Sequence, residues 1–101
     1  MRATGVGFTE MDDGLRRLAS RVVWWEPPEA AIARLDDFLC RVMVLGTWDD
    51  VQELERRYGR RRLAGAIGHA SPGVFDARSW HYWHRRLRLG PPGPLPTRAF
   101  R

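Results

Sequence analysis

Apolar residues recur at helical spacing through the middle of this 101-residue chain. The first stripe repeats every three to four residues and consists of Ile32, Leu35, Leu39 and Val42, widened by Phe38 and Leu45. Pro28 suits the first turn of a helix, because the N–H group that proline lacks would have no partner there. Gly46 is a natural end. The pattern predicts one helix from about Pro28 to Leu45.

Two shorter helices are expected next, separated by a glycine. Thr47 can open the first, since its hydroxyl can accept a hydrogen bond from the backbone N–H near Asp50. Gly59 ends this helix, and arginines 60–62 begin the following one. The inward positions of the two helices are Val51, Leu54 and Tyr58, then Leu63, Ala66, Ile67 and Ala70. Gly65 and Gly68 each cost about 1 kcal/mol relative to Ala inside a helix, unless they permit close packing.

A last helix is expected after the turn at residues 71–73, with Asp76 or Ser79 as its N-cap. Trp80, Trp83 and Leu87 share one face of this helix and form part of the predicted core. The segment 90–101 begins with Gly-Pro-Pro-Gly-Pro, which cannot be helical and favours an extended tail.

The N-terminal quarter shows no clear periodicity. Glycines interrupt residues 1–20, so this part is either a loosely ordered arm or a short helix from Leu15 to Ser20. The run from Arg21 to Trp25 is rich in β-branched and aromatic residues, which predicts a short extended segment packed by Trp24 or Trp25. We therefore expect an N-terminal arm (1–20), a helical domain (21–89) and a Pro-rich tail (90–101).

These elements define an all-α fold: a small bundle of about four helices with a helix-turn-helix-like centre and an extended N-terminal segment. A chain of this length forms one compact core. Hydrophobic residues make up 44% of the sequence and charged residues 29%, which is typical of a globular domain and not of a disordered chain.

The charge is carried by one residue type. All basic residues are arginine, and the net charge is +5. Codon bias in a GC-rich genome explains the absence of lysine, but guanidinium groups still suit carboxylate and phosphate partners better than ammonium groups do. The single cysteine, Cys40, cannot form an internal disulfide, and no apolar run is long enough for a membrane span. We expect a cytoplasmic protein.

Catalytic and metal-binding patterns are missing from the sequence. The adjacent pairs Asp36-Asp37 and Asp49-Asp50 diverge on a helix and cannot cooperate as acid and base. Neither a phosphate-binding glycine loop nor the Arg-x4-His motif of small ribonuclease toxins is present. His81 and His84 are three residues apart on a predicted helix, but catalytic zinc normally has three clear protein ligands. We expect no enzyme activity, cofactor or metal.

Two surfaces are candidates for binding. The two central helices resemble a DNA-reading helix-turn-helix in outline, and phosphate contacts would come from Arg56, Arg57, Arg60, Arg61 and Arg62. Few side chains after these arginines could read bases. The second surface is aromatic, because tryptophan, tyrosine and arginine dominate protein interfaces. Its expected partner-binding residues are Trp24, Trp25, His81, Tyr82 and Arg85.

Five segments carry a resemblance to a known family. They are Val23–Pro27, Phe38–Gly46, Thr47–Val51, Arg57–Gly59 and Ser79–Trp83, within a region of about residues 22–89. This region resembles small bacterial proteins that are encoded beside nucleotidyltransferase toxins of the AbiEii type and are taken to be antitoxins. The chain departs from them in the arm before Arg21 and in having more than one aromatic residue in the last helix.

The resemblance implies a role and no individual functional residue, since its motifs are mostly structural. The leading hypothesis is a non-catalytic, antitoxin-like protein that neutralises a cognate nucleotidyltransferase toxin by direct contact. The alternative is a helix-turn-helix DNA-binding regulator of its own operon. Self-association as a homo-oligomer stays open in both cases.

Overall fold

The computed structural model describes residues 12–96, and every regular element in that range is an α-helix. The helices are α1 (Asp13–Val22), α2 (Pro28–Ala33), α3 (Leu35–Leu45), α4 (Trp48–Tyr58), α5 (Arg60–Ile67) and α6 (Ala77–Arg86). The all-α class is confirmed, although the described part contains six helices where about four were expected. Predictions for residues 1–11 and 97–101 lie outside the described residues.

Helix α3 forms the centre of the core. Its side chains Phe38, Leu39, Cys40 and Val42 are each at most 1% exposed. The helix packs against α5 above all and also contacts α1, α2 and α4. One helix is therefore apolar on several faces, as expected for an element surrounded by others.

The end of α1 and the turn after it take the place of the extended segment that the sequence predicted from Arg21 to Trp25. The side chain of Asp12 caps α1 by accepting a hydrogen bond from the N–H of Leu15 at 2.8 Å. The helix continues through Val22, and the N–H of Val23 donates to the carbonyl of Ala19 at 2.8 Å. The extended-segment prediction is wrong because burial of Val22 and Val23 against the core overrides their β-branched preference. The alternative of a short helix is confirmed, with wider bounds.

Trp24 and Trp25 do not pack this segment against the core, contrary to the prediction. They lie in the turn after α1 and are 74% and 48% exposed. Their rings meet edge to face with centroids 5.6 Å apart. The guanidinium of Arg41 stacks on Trp25, 5.4 Å from the ring centroid.

The single helix predicted from Pro28 to Leu45 is divided into α2 and α3. Arg34, with φ −100° and ψ 70°, interrupts the helical backbone. Its side chain forms an ion pair with Glu26. The apolar spacing continues across the break, so periodicity alone could not reveal it. Because of the break, α2 packs against both α1 and the start of α3.

The ends of α4 agree with the prediction. Thr47 and Asp50 form a reciprocal capping box: the N–H of Asp50 donates to the Thr47 hydroxyl at 3.2 Å, and the N–H of Thr47 donates to the Asp50 carboxylate at 2.8 Å. Gly59 ends α4 with φ +86° and ψ 156°, a backbone conformation that is essentially restricted to glycine.

The segment after α6 is non-helical, as predicted, and lies against the helical domain. The indole N–H of Trp80 donates to the carbonyl of Gly93 at 2.9 Å, and Leu95 packs on the core. Within residues 12–96, no helix combines the length and the apolar character that crossing a membrane requires.

Candidate partner-binding surface

Helix α6 is amphipathic, with a buried apolar face and an exposed polar face. Asp76 and Ser79 cap its N-terminus reciprocally, with N–H to side-chain distances of 2.8 and 3.1 Å. The predicted core positions Trp80, Trp83 and Leu87 are buried. The residues on the opposite side are exposed, and they are Arg78, His81, Tyr82 and Arg85. The structure thus brings three of the five predicted partner-binding residues together on one helix face.

Positive charge is concentrated in the same part of the chain. Residues 77–101 contain six arginines and no acidic residue, whereas residues 1–76 contain 11 arginines and 12 acidic residues. In the described part of the chain, no carboxylate lies within ion-pairing distance of Arg78, Arg85 or Arg88. These guanidinium groups are exposed and remain available for a partner.

An apolar groove lies beside this face, between α6 and the junction of α3 and α4. It has a volume of about 410 Å³. Apolar and aromatic side chains dominate its walls, and they are Met43, Val44, Trp48, Val51, Tyr82 and Trp83. Trp48 and Tyr82 are each about half exposed. Such a volume lies within the range of ordinary ligand-binding clefts.

Two fixed contacts shape the groove. The indole N–H of Trp83 donates to the carbonyl of Met43 at 3.2 Å, which joins α6 to α3. The guanidinium of Arg86 stacks on Trp48, 4.2 Å from the ring centroid, and also reaches Glu55 at 3.4 Å. Because Arg86 holds the Trp48 ring in place, this aromatic wall is preorganised.

The groove continues along α6 as a basic depression. Arg78 and Tyr82 line both the apolar groove and a second depression of about 400 Å³, which His81 and Arg85 complete. A third depression, of about 340 Å³, shares His81 and Arg85 and adds Arg88. We call this chain of three concavities, from Trp48 to Arg88, the α6 trough. It is apolar at one end and cationic along the rest.

Sequence reasoning found part of this surface. It identified His81, Tyr82 and Arg85, but Trp24 and Trp25 line none of the three concavities. It missed the contribution of Trp48, whose position after a helix cap gave no sign of a groove, and that of Arg78. The unpaired state of Arg78 could have been anticipated, because the only acidic residue near it in sequence is the helix cap.

Two of the five arginines predicted to contact DNA, Arg56 and Arg57, already form ion pairs within the protein. Arg56 forms an ion pair with Glu53 on α4. Arg57 contacts both Glu53, at 2.7 Å, and Asp12, at 2.9 Å. The hydrogen bond from Arg57 also lowers the pKa of the Asp12 carboxyl. These contacts connect α4 to the cap of α1 and reduce the charge that phosphates would meet.

The arginines of α5 are also mostly committed to internal contacts. Arg62 pairs with Asp36 of α3 at 2.6 Å, and Arg60 donates to the backbone carbonyl of Arg86 at 2.9 Å. Arg61 is exposed, with no carboxylate of residues 12–96 within ion-pairing distance. The helix-turn-helix arrangement therefore stays a prediction, and a single unengaged guanidinium offers it little support.

Of the histidines, His69 lies with its Nδ1 3.0 Å from the Asp36 carboxylate, whereas His81, His84 and the single cysteine contact backbone carbonyls. Nδ1 of His84 lies 2.8 Å from the carbonyl oxygen of Trp80, and Nδ1 of His81 lies 2.9 Å from that of Ala77. Burial raises the pKa of Cys40 to about 12, and its thiol reaches a backbone carbonyl of α5 at 3.4 Å. Among the described residues, no three histidine, cysteine or acidic side chains are grouped as metal ligands would be.

Comparison of the chain with protein-family models, with curated proteins and with solved structures gives no match. The family resemblance of residues 22–89 therefore stays a prediction.

Proposed function

We propose that this protein is a non-catalytic binding protein that docks an acidic surface of a partner protein onto the outward face of α6. One observation carries the proposal: three of the five described arginines whose side chains make no ion pair or hydrogen bond, Arg78, Arg85 and Arg88, lie on α6 or directly after it, beside the exposed Tyr82. Arginine forms bidentate hydrogen bonds with carboxylates, and tyrosine supplies contact area at low entropic cost. Both residue types are enriched among interface hot spots.

The contact would combine two physical contributions. Arg78, Arg85 and Arg88 would attract a negatively charged partner and orient it during encounter. Burial of Tyr82 would then slow dissociation, because desolvated aromatic side chains contribute most of the energy of an interface. The affinity of the complex is therefore expected to decrease as salt screens the charges. The contribution from burial of Tyr82 should remain at high salt.

For the partner, we propose the nucleotidyltransferase-type toxin that the family resemblance implies. An enzyme that holds metal ions with carboxylates presents a concentrated negative surface at its active site. Arginines placed over that surface would neutralise it and block substrate entry. The basic, acid-free C-terminal quarter of this chain supports such a pairing by charge complementarity.

The test is co-expression with the product of the adjacent gene, followed by gel filtration and calorimetry of the purified pair. A stable complex is expected, and Tyr82→Ala or Arg85→Glu should weaken it by about tenfold or more. Arg61→Glu is the matched control, since it makes the same charge change on an exposed helix position away from α6. Absence of a complex at micromolar concentration would contradict the proposal.

A further inference from the structure

We propose that the α6 trough binds an extended acidic segment of the partner, with one large apolar side chain of that segment inserted between Trp48 and Tyr82. The inference rests on the proposed function and specifies what its interface recognises. It combines two features of the trough: an apolar groove at one end and unpaired guanidinium groups along the remainder.

The apolar end is built to receive a side chain. Trp48 and Tyr82 flank a groove with Met43 and Val51 among its walls, and both aromatic rings are half exposed. Hot-spot side chains of protein interfaces enter such preformed pockets near well-packed aromatic residues. A partner side chain that covers this exposed aromatic surface removes it from water, and the free energy gained is proportional to the area covered.

The distance along α6 sets the spacing of the segment. Arg78 and Arg85 are seven residues apart, which corresponds to about 10.5 Å at 1.5 Å per helical residue. An extended chain covers that distance in about three residues at 3.4 Å each. Arg78 lines the apolar groove, so carboxylates up to about three residues beyond an anchor seated there would reach Arg85, and one further residue would approach Arg88.

A peptide fits this surface better than a nucleic acid does. Bases bind single-strand-recognising proteins by stacking on open aromatic faces. One face of Trp48 is covered by the guanidinium of Arg86, and the ring of Tyr82 stands edge-on to Trp83 at an angle of 87°. Arg86 therefore leaves at most one face of Trp48 open to a base, whereas the groove that Trp48 and Tyr82 line can admit a side chain.

The experiment uses the full ¹⁵N-labelled chain and synthetic peptides, observed by NMR. The probe contains one Phe followed after two serines by three Glu, and a second probe has the reversed order because the chain direction is not fixed. The five indole N–H signals are assigned with single Trp→Phe variants. We expect one probe to shift the Trp48 signal, while those of Trp24 and Trp25, which lie outside the trough, do not move.

Matched changes separate the anchor from the charges. Replacing Phe by Ala in the probe should weaken binding by about tenfold. Replacing its Glu residues by Gln, or making Arg85→Gln in the protein, should also weaken it, whereas Arg61→Gln should have no effect. Equal binding of the Phe and Ala probes would overturn the proposal. So would a larger response of the Trp48 signal to an oligothymidylate of equal charge, which would assign the trough to nucleic acid.

Failure of this inference and failure of the proposed function give different results. If the peptides show no anchor dependence but Tyr82→Ala still disrupts the complex with the partner enzyme, the trough model is wrong and the proposed function stands. If the Phe probe binds as described but no partner enzyme forms a complex, the trough recognises an acidic segment of some other protein.

Discussion

The ion pair between Arg21 and Asp50 attaches the end of α1 to the first turn of α4, and Asp50→Asn removes it. The two guanidinium nitrogens donate to the two carboxylate oxygens at 2.9 and 2.7 Å, in the fork geometry that favours arginine. Asp50 is 8% exposed and also accepts the N–H of Thr47. The substitution therefore removes a charge that is nearly buried, while an amide can retain the capping hydrogen bond.

The pKa of Asp50 gives the expected magnitude. The hydrogen bonds from Arg21 are the main reason that the pKa falls from 3.8 to about 2. At 1.36 kcal/mol for each pKa unit, that difference corresponds to about 2.4 kcal/mol. Water screens the pair, because 56% of the Arg21 side chain is exposed. We therefore expect Asp50→Asn to lower the free energy of unfolding by about 1–2 kcal/mol at pH 7.

The contribution has a defined pH dependence. Because the pKa of Asp50 is lower in the folded state than in the unfolded chain, the stabilisation is fully present above about pH 5. It decreases as the pH falls toward 2, and about half of it is gone by pH 3. The Asp50→Asn variant lacks the titrating carboxyl. The difference in free energy of unfolding between the wild-type protein and the variant should therefore decrease as the pH is lowered.

Urea unfolding followed by tryptophan fluorescence, at pH 7 and pH 3, measures this effect. Asp49→Asn is the matched control, since it removes an exposed carboxylate from the same first turn and alters the helix-dipole interaction similarly. The double variant with Arg21→Gln isolates the coupling between the pair. Two results would refute the reasoning. One is that Asp50→Asn lowers the free energy of unfolding no more than Asp49→Asn does; the other is that it lowers it by the same amount at pH 3 as at pH 7.

Four further predictions concern the stability and reactivity of the fold. Gly59→Ala should lower the free energy of unfolding by about 1–3 kcal/mol, because only glycine adopts its φ and ψ. Gly65→Ala should raise it by about 0.5–1 kcal/mol, since an added Cβ meets nothing within 4 Å inside α5. Cys40 should resist a thiol reagent at pH 8 until urea is added; rapid labelling of the folded protein would contradict its burial. Asp76→Ala should lower the melting temperature through loss of about 1 kcal/mol of capping, and Asp76→Asn should restore most of it.

Local chemistry was enough to predict several helix ends. Thr47 and Asp50 form the expected cap of α4, and Gly59 ends that helix, because caps depend on residues within one turn of each other. The buried face of α6 was equally accessible from sequence. Tryptophans at positions 80 and 83 are one turn apart, so the outward position of Tyr82 followed from helical geometry.

The errors occurred where distant contacts decide the structure. Val22 and Val23 favour strands as isolated residues, but both are buried against the core, where α1 ends at Val22 and Val23 follows as its C-cap. The break at Arg34 leaves the apolar period unchanged and is visible only in the separate packing of α2 and α3. Local propensity carries no information about either.

The α6 trough likewise combines features that local sequence predicts with features that depend on distant contacts. The aromatic and basic character of α6 is visible in the sequence, whereas the groove beside it requires Trp48 to be brought from α4 to Tyr82. Which of the other arginines form ion pairs also depends on contacts between residues that are distant in the sequence. Arg57 and Asp12 are 45 residues apart in the chain, so their ion pair could not be anticipated from spacing.

The distribution of ion pairs changes what the net charge of +5 means for recognition. Residues 1–76 are close to neutral, and most arginines described there contact carboxylates that connect one helix turn or one helix to another. Salt bridges of this kind orient helices. Because the paired charges cancel, they leave little positive electrostatic potential to attract a partner. The excess positive charge therefore belongs to α6 and the segment after it. A partner attracted by that field arrives at the helix whose outer face also offers the aromatic groove, so encounter and anchoring are directed to the same surface.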